Sequence, residues 1–112
     1  MDGCYLRLYV HENDRVHGQL AWEWLLAQAN DLGIRGGSAF RAMAGFGRHH
    51  LVHMDRFFEL AGNLTVEVEF IVDEEEEAQR LLDSIEKEGV SLFYARIPAQ
   101  FAIVNPDKQN SP

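Results

Sequence analysis

Apolar and polar residues alternate strictly at the start of the chain. Cys4, Leu6, Leu8 and Val10 share one face, and Tyr5, Arg7, Tyr9 and His11 share the other. A period of two marks a strand with one buried side. The polar stretch ENDRVHG, residues 12–18, predicts a turn. Residues 18–32 then read as a helix, with Trp22, Leu25, Ala29 and Leu32 on one stripe and Trp24 and Leu26 widening it. Gly33 supplies a C-terminal stop. Residues 37–46 read as a weaker strand whose Ala and Gly content implies close packing against the helix layer or another chain. In residues 51–60, Val52, Met54, Phe58 and Leu60 oppose His53, Asp55, Phe57 and Glu59, with Arg56 interrupting the apolar face. Gly62 and Asn63 make a turn. The clearest strand is LTVEVEFIV, residues 64–72, with Leu64, Val66, Val68, Phe70 and Val72 to one side.

A second helix follows. Asp73 is placed to cap it and Glu76 to complete the box. Ala78, Leu81, Leu82 and Ile85 form its apolar face, and Gly89 ends it. The acidic run Asp73–Glu77 suits the positive end of the helix dipole. It lacks the alternating ligands and central Gly of a calcium loop. Residues 90–97 predict a last strand broken by Pro98, FAIV at 101–104 a short addition, and residues 105–112 a disordered tail.

The order β-α-β-β-α-β over residues 1–104 predicts one α+β domain of ferredoxin-like fold, an antiparallel sheet with two helices on one face. The other face of the sheet would stay bare in a monomer, which predicts a partner chain. With 112 residues the domain gains from burying more surface by assembly.

Charge narrows the partners. Eighteen acidic residues against ten Lys and Arg give a formal charge of −8, which argues against nucleic acid and against plain electrostatic binding to anionic lipid. A lone cysteine, Cys4, allows neither an internal disulfide nor a cysteine metal cage and reads as a small buried hydrophobe. No run is long and apolar enough for a membrane span. The opening MDGCYLRLYV has no basic region or cleavage site of a signal peptide, so a cytoplasmic location is expected.

Candidate chemistry concentrates in GFGRHHLVHMDR, residues 45–56. No serine lies in a nucleophile-elbow pattern, and GIRGG at 33–37 lacks the ending of a P-loop, so the sequence points away from an enzyme. Glu67 and Glu69 share a strand face, where paired carboxylates are usually surface. His49, His50 and His53 raise a metal site as the alternative. In an extended arm, positions four apart are separated by about 13 Å, too far for His49 and His53 to share one ion. On a helical turn the two could share one, and a site made at a symmetry axis or across chains stays open. Anion binding is the other reading. Gly45 and Gly47 permit backbone N–H groups to turn toward a ligand, and Arg48 and Arg56 supply charge.

The stretch GGSAFRAMAGFGRHH, followed by LTVEVEFIVDEEEEAQRLLDSIEKEG, resembles the nitrogen regulatory P-II proteins. In those proteins a strand ends in Gly-Phe-Gly-Arg, opens into a long loop and returns as a strand carrying a Glu. The turn Asp14-Arg15-Val16-His17-Gly18 looks still more like a P-II-like family catalogued as domain of unknown function 190. The resemblance implies a homotrimer with clefts between subunits, an adenine nucleotide or other small-molecule ligand in those clefts, and a loop that docks on a membrane transporter or enzyme. Carried over by position, the ligand-binding residues are Gly45, Phe46, Gly47 and Arg48 at the loop base and Glu69 on the returning strand, with Arg56 added by its charge. The chain departs from the P-II pattern after the second helix. Glu88-Gly89-Val90-Ser91 runs almost directly into the last strand where P-II proteins have a Gly- and Lys-rich phosphate loop. Residues 46–62 also lack the tyrosine modification site. A nucleotide with fewer phosphates, another small anion, or no nucleotide all fit that departure. The divalent-cation tolerance proteins offer a similar architecture for the metal alternative.

Overall fold

A computed structural model describes residues 2–46, 53–54 and 64–109. Strand β1 spans Asp2–His11. A small hairpin of β2 (Arg15–Val16) and β3 (Gln19–Leu20) leads into helix α1, Ala21–Asp31. Strand β4 is Gly36–Arg41, and β5 (Ala44–Gly45) pairs with β6 (His53–Met54). Strand β7 (Thr65–Val72), helix α2 (Glu75–Lys87), strand β8 (Phe93–Gln100) and a helical turn α3 (Pro106–Gln109) complete the chain.

The main sheet has the order β4-β7-β1-β8 with every pairing antiparallel, and both long helices cover one face. This is the ferredoxin-like arrangement. Its cause is the alternation along the two central strands. Cys4, Leu6, Leu8 and Val10 of β1 and Val66, Val68, Phe70 and Val72 of β7 are all buried under the helices. Each large aliphatic or aromatic side chain placed there contributes about 1.5–3 kcal/mol. From the helix layer, Trp24, Leu25 and Ala29 of α1 and Ala78, Leu81 and Ile85 of α2 close the core. Of the small residues expected along the second strand, Gly37 has a definite partner in the adjacent strand, the ring of Phe70 lying where a Cβ would sit, whereas Gly45 has open space there.

Several expectations shift. The buried stripe of α1 runs through Ala21, Trp24, Leu25 and Ala29, which share one face at helical spacing and leave Trp22 half-buried on its flank. Asp73 does not cap α2. Glu74 takes the extended N-cap backbone without a side-chain cap bond, and the Asp73 carboxylate accepts from Arg35 Nε at 2.9 Å. The last strand starts at Phe93 and passes through Pro98. β8 is an edge strand, where a residue without an N–H is tolerated. FAIV adds no strand, and the expected tail carries the turn α3. The alternating arm expected over 51–60 is described only at His53–Met54.

Candidate functional site

Strand directions gather the polar connections at one end of the sheet. β1 and β4 end there, and β7 and β8 begin there: His11 is opposite Thr65, Arg41 opposite Val66, and Tyr9 opposite Phe93. The ENDRVHG segment is a tight hairpin rather than a simple turn. His17 and Gly18 sit between β2 and β3 with φ of 53° and 77°, the left-handed pair a two-residue hairpin turn requires. Arg15 Nη1 donates to the Gly18 carbonyl at 2.9 Å. Asp14 closes the entry: its carboxylate accepts from the His11 N–H at 2.9 Å, and its carbonyl accepts from the Ala21 N–H at 2.6 Å. His17 Nε2 lies 2.5 Å from Glu88 Oε2, which fastens the hairpin to the end of α2.

Two recesses meet around Val10, Asp14 and Ser91 and form one bent groove. The first, about 390 Å³, has an aromatic wall at Tyr9 and Phe93, whose ring centroids stand 5.6 Å apart and tilted by 49°. The second, about 420 Å³, is lined by Arg15, His17 and Glu88. The groove therefore offers two aromatic rings among polar groups at one end and charged groups at the other. The short link from Glu88 to Ser91 forms its floor, in the place where the sequence lacks a phosphate loop.

Of the predicted site residues, Gly45 and Phe46 lie at the same end but on the opposite edge. Gly45 belongs to β5, with His53 facing it across the β5–β6 pair, and Phe46 is exposed just beyond. Gly47, Arg48, His49, His50 and Arg56 lie outside the described residues. Among the described residues, no group of three or more His, Cys, Asp or Glu is placed to hold a metal ion.

Glu69 is elsewhere. It stands mid-strand on the open face of the sheet, 3.1 Å from Arg7 Nε, and accepts a hydrogen bond from the Tyr5 hydroxyl. Glu67 approaches the same Nε at 3.7 Å. Arg7 Nε is out of contact with water, yet neither carboxylate lies along its N–H direction. The bond to Glu69, then burial, pushes the Tyr5 phenol up from its ordinary range. The phenol oxygens of Tyr9 and Tyr5, with smaller help from Glu67 and Glu69, raise Arg7 further.

The family model DUF190, described as an uncharacterized ACR, matches residues 3–90. The chain belongs to the DUF190 family. A UPF0166 protein of Aquifex aeolicus is 36% identical over 80 residues, 71% of this DUF190 chain and 75% of that protein. A UPF0166 protein of Methanocaldococcus jannaschii is 30% identical over 80 residues, 71% and 72% of the two chains. Among solved structures, this DUF190 fold is similar to a PII-like signalling protein from Thermus thermophilus, with a TM-score of 0.61 and 17% identity over 96% of this chain and 94% of that one. It is also similar to CPII, a nitrogen regulatory PII-like protein from Thiomonas intermedia bound to ADP, AMP and bicarbonate. That pair has a TM-score of 0.57 and 15% identity, covering 91% and 97% of the two chains. The DUF190 chain thus has the P-II-like fold that its loop-base residues suggested.

The groove is the part that residue patterns alone did not reveal. Its one signal was the Asp-Arg-x-x-Gly turn at Asp14–Gly18, visible only as a family resemblance. Pairing of that turn with Glu88, 71 positions later, has no trace in local patterning.

Proposed function

We propose that this chain is a non-enzymatic, P-II-like regulatory protein of the cytoplasm that assembles as a homotrimer. It holds a small ligand in the clefts between copies, and residues 47–60 carry the signal to a membrane transporter or an enzyme. One observation carries the reading. The loop base at Ala44–Phe46 and the groove beside Ser91 lie at the same end of the sheet but on its opposite edges, β4 and β8. In a ring of copies, each β4 edge faces a neighbour's β8 edge, so each cleft joins one copy's loop base to the next copy's groove.

The open face supports the ring. Phe40, Phe93 and Ile97 leave 52%, 72% and 40% of their surface exposed along its two edges, and covering them is favourable at about 25 cal/mol per Å². An adenine nucleotide fits the groove's chemistry, with the base against Tyr9 and Phe93 and phosphate toward Arg15 and the loop-base Arg48. The short Glu88–Ser91 link favours a mono- or diphosphate over a triphosphate. A fold neighbour bound to ADP and AMP is consistent with that choice.

Calorimetric titration with AMP, ADP and ATP tests the proposal. The expected result is saturable binding that Arg48→Ala and Arg15→Ala each weaken. Absence of heat and of any shift in melting temperature at millimolar nucleotide would contradict it.

A further inference from the structure

Among the described residues, every arginine except Arg15 has a carboxylate beside it. Arg7, Arg35, Arg41, Arg80 and Arg96 each lie 2.9–3.9 Å from a Glu or Asp. Among the same residues no carboxylate pairs with Arg15, and its guanidinium donates to the Gly18 carbonyl at 2.9 Å. A shortage of acids is not the reason, since Asp and Glu number 18 against ten Lys and Arg. Two acids, Asp14 and Glu88, line the same recess as Arg15.

Both acids are held by other groups. The Asp14 carboxylate accepts from the His11 N–H at 2.9 Å. Glu88 Oε2 accepts from His17 Nε2 at 2.5 Å. His17 reaches Glu88 from the left-handed turn whose next residue, Gly18, fixes the Arg15 guanidinium. One hairpin turn thus presents two side chains to the recess. Arg15 brings a fork of donors that no acid neutralises, and His17 occupies the acid that would neutralise it. A phosphate needs that fork in bidentate geometry, so a carboxylate on Arg15 and a phosphate on Arg15 exclude one another.

We infer that His17 is a positioning residue for ligand binding: by holding Glu88 it keeps Arg15 open to the phosphate of a nucleotide. The inference rests on the nucleotide reading above and adds the residue that keeps the charged end of the groove competent. His17 acts through Glu88 and not by touching the ligand. The contact needs only the Nε2–H of a neutral imidazole, so it involves no change of protonation. When a rival contact engages part of the population, apparent affinity falls in proportion to the fraction left competent. An exposed Arg–Glu pair is weak. Releasing Glu88 onto Arg15 therefore weakens binding by about two- to sixfold.

Calorimetric titration of the full chain with AMP and with ADP tests this in four proteins: the parent, His17→Gly, Glu88→Gln and the double variant. Glycine suits the φ of 53° at position 17, so His17→Gly removes the imidazole without straining the turn. The expected result is binding weakened about two- to sixfold in His17→Gly. Glu88→Gln should bind at least as tightly as the parent, and the double variant should match Glu88→Gln, because no carboxylate remains to compete. Unchanged affinity in His17→Gly, weakened affinity in Glu88→Gln, or a double variant as weak as His17→Gly overturns the inference and leaves the nucleotide reading standing. A latch that only braces the hairpin gives the second and third of these results. Should His17→Gly fail to fold by circular dichroism, Glu88→Gln decides alone, and weaker binding there overturns the inference. Absence of binding by the parent chain overturns the nucleotide reading and this inference with it.

Discussion

Arg7 Nε lies 3.1 Å from Glu69 Oε1, tying the two central strands together on the side of the sheet that no helix covers. Glu69 also accepts from the Tyr5 hydroxyl. A phenol held this way favours its protonated form, so its titration lies above the ordinary range near 10. Its contribution to stability is present below the unfolded phenol's value and is lost as pH rises through the folded value. Glu69→Gln removes the leading cause of the shift. Ultraviolet titration of tyrosinate should then show one phenol titrating at lower pH than in the parent chain. An unchanged titration curve would refute the coupling.

Gly37 is covered by the Phe70 ring, with Cδ1 2.5 Å from where a Cβ would be. Phe70 is fully packed in the core, so it has little room to yield. Gly37→Ala should destabilise the fold by about 1–3 kcal/mol, the usual cost of overpacking, as read by urea denaturation. Gly36→Ala, with open space around its Cβ position, is the control and should cost less.

Cys4 is 1% exposed, and burial, then nearby Glu75, raises its thiol above the ordinary range. Both effects suppress the thiolate that reacts. Native protein should therefore react with an aromatic disulfide reagent at least tenfold more slowly than protein unfolded in guanidinium. Equal rates would show that the first strand does not bury its inward face.

His17 holds a φ of 53° in the β2–β3 turn. That conformation costs an ordinary L-residue about 1–2 kcal/mol, and a β-branched residue tolerates it least. His17 already bears that cost, so His17→Val should lower stability by the added strain of the β-branched side chain together with the lost Glu88 contact. His17→Gly should hold stability near the parent level, since relief of backbone strain offsets loss of the Glu88 contact. Chemical denaturation of the two variants distinguishes strain in the turn from the side-chain contact.

The sequence discloses most of the scaffold and less of the site, for separable physical reasons. Alternation along residues 4–10 and 64–72 identifies the buried side chains of β1 and β7 one by one, because a strand's two faces strictly alternate. The apolar face of α2 is equally plain at Ala78, Leu81 and Ile85. Trp22 and Trp24 are harder to rank, since both are equally apolar and only Trp24 shares the face of Ala21, Leu25 and Ala29. Pro98 reads as a breaker until β8 is known to be an edge. Arg7, Glu67 and Glu69 look like ordinary strand surface, and only the register of β1 against β7 gathers them into one cluster. The groove depends on contacts between residues 14–17 and 88–91, a separation no local pattern encodes.

Equilibrium sedimentation at micromolar concentration tests the central claim most directly. If copies bury their open faces against one another, the protein runs as one species of three times the 12.8 kDa chain mass, and Phe93→Lys together with Ile97→Lys shifts it to the single chain. A stable 12.8 kDa species in the unsubstituted protein would contradict the claim and remove the clefts with it.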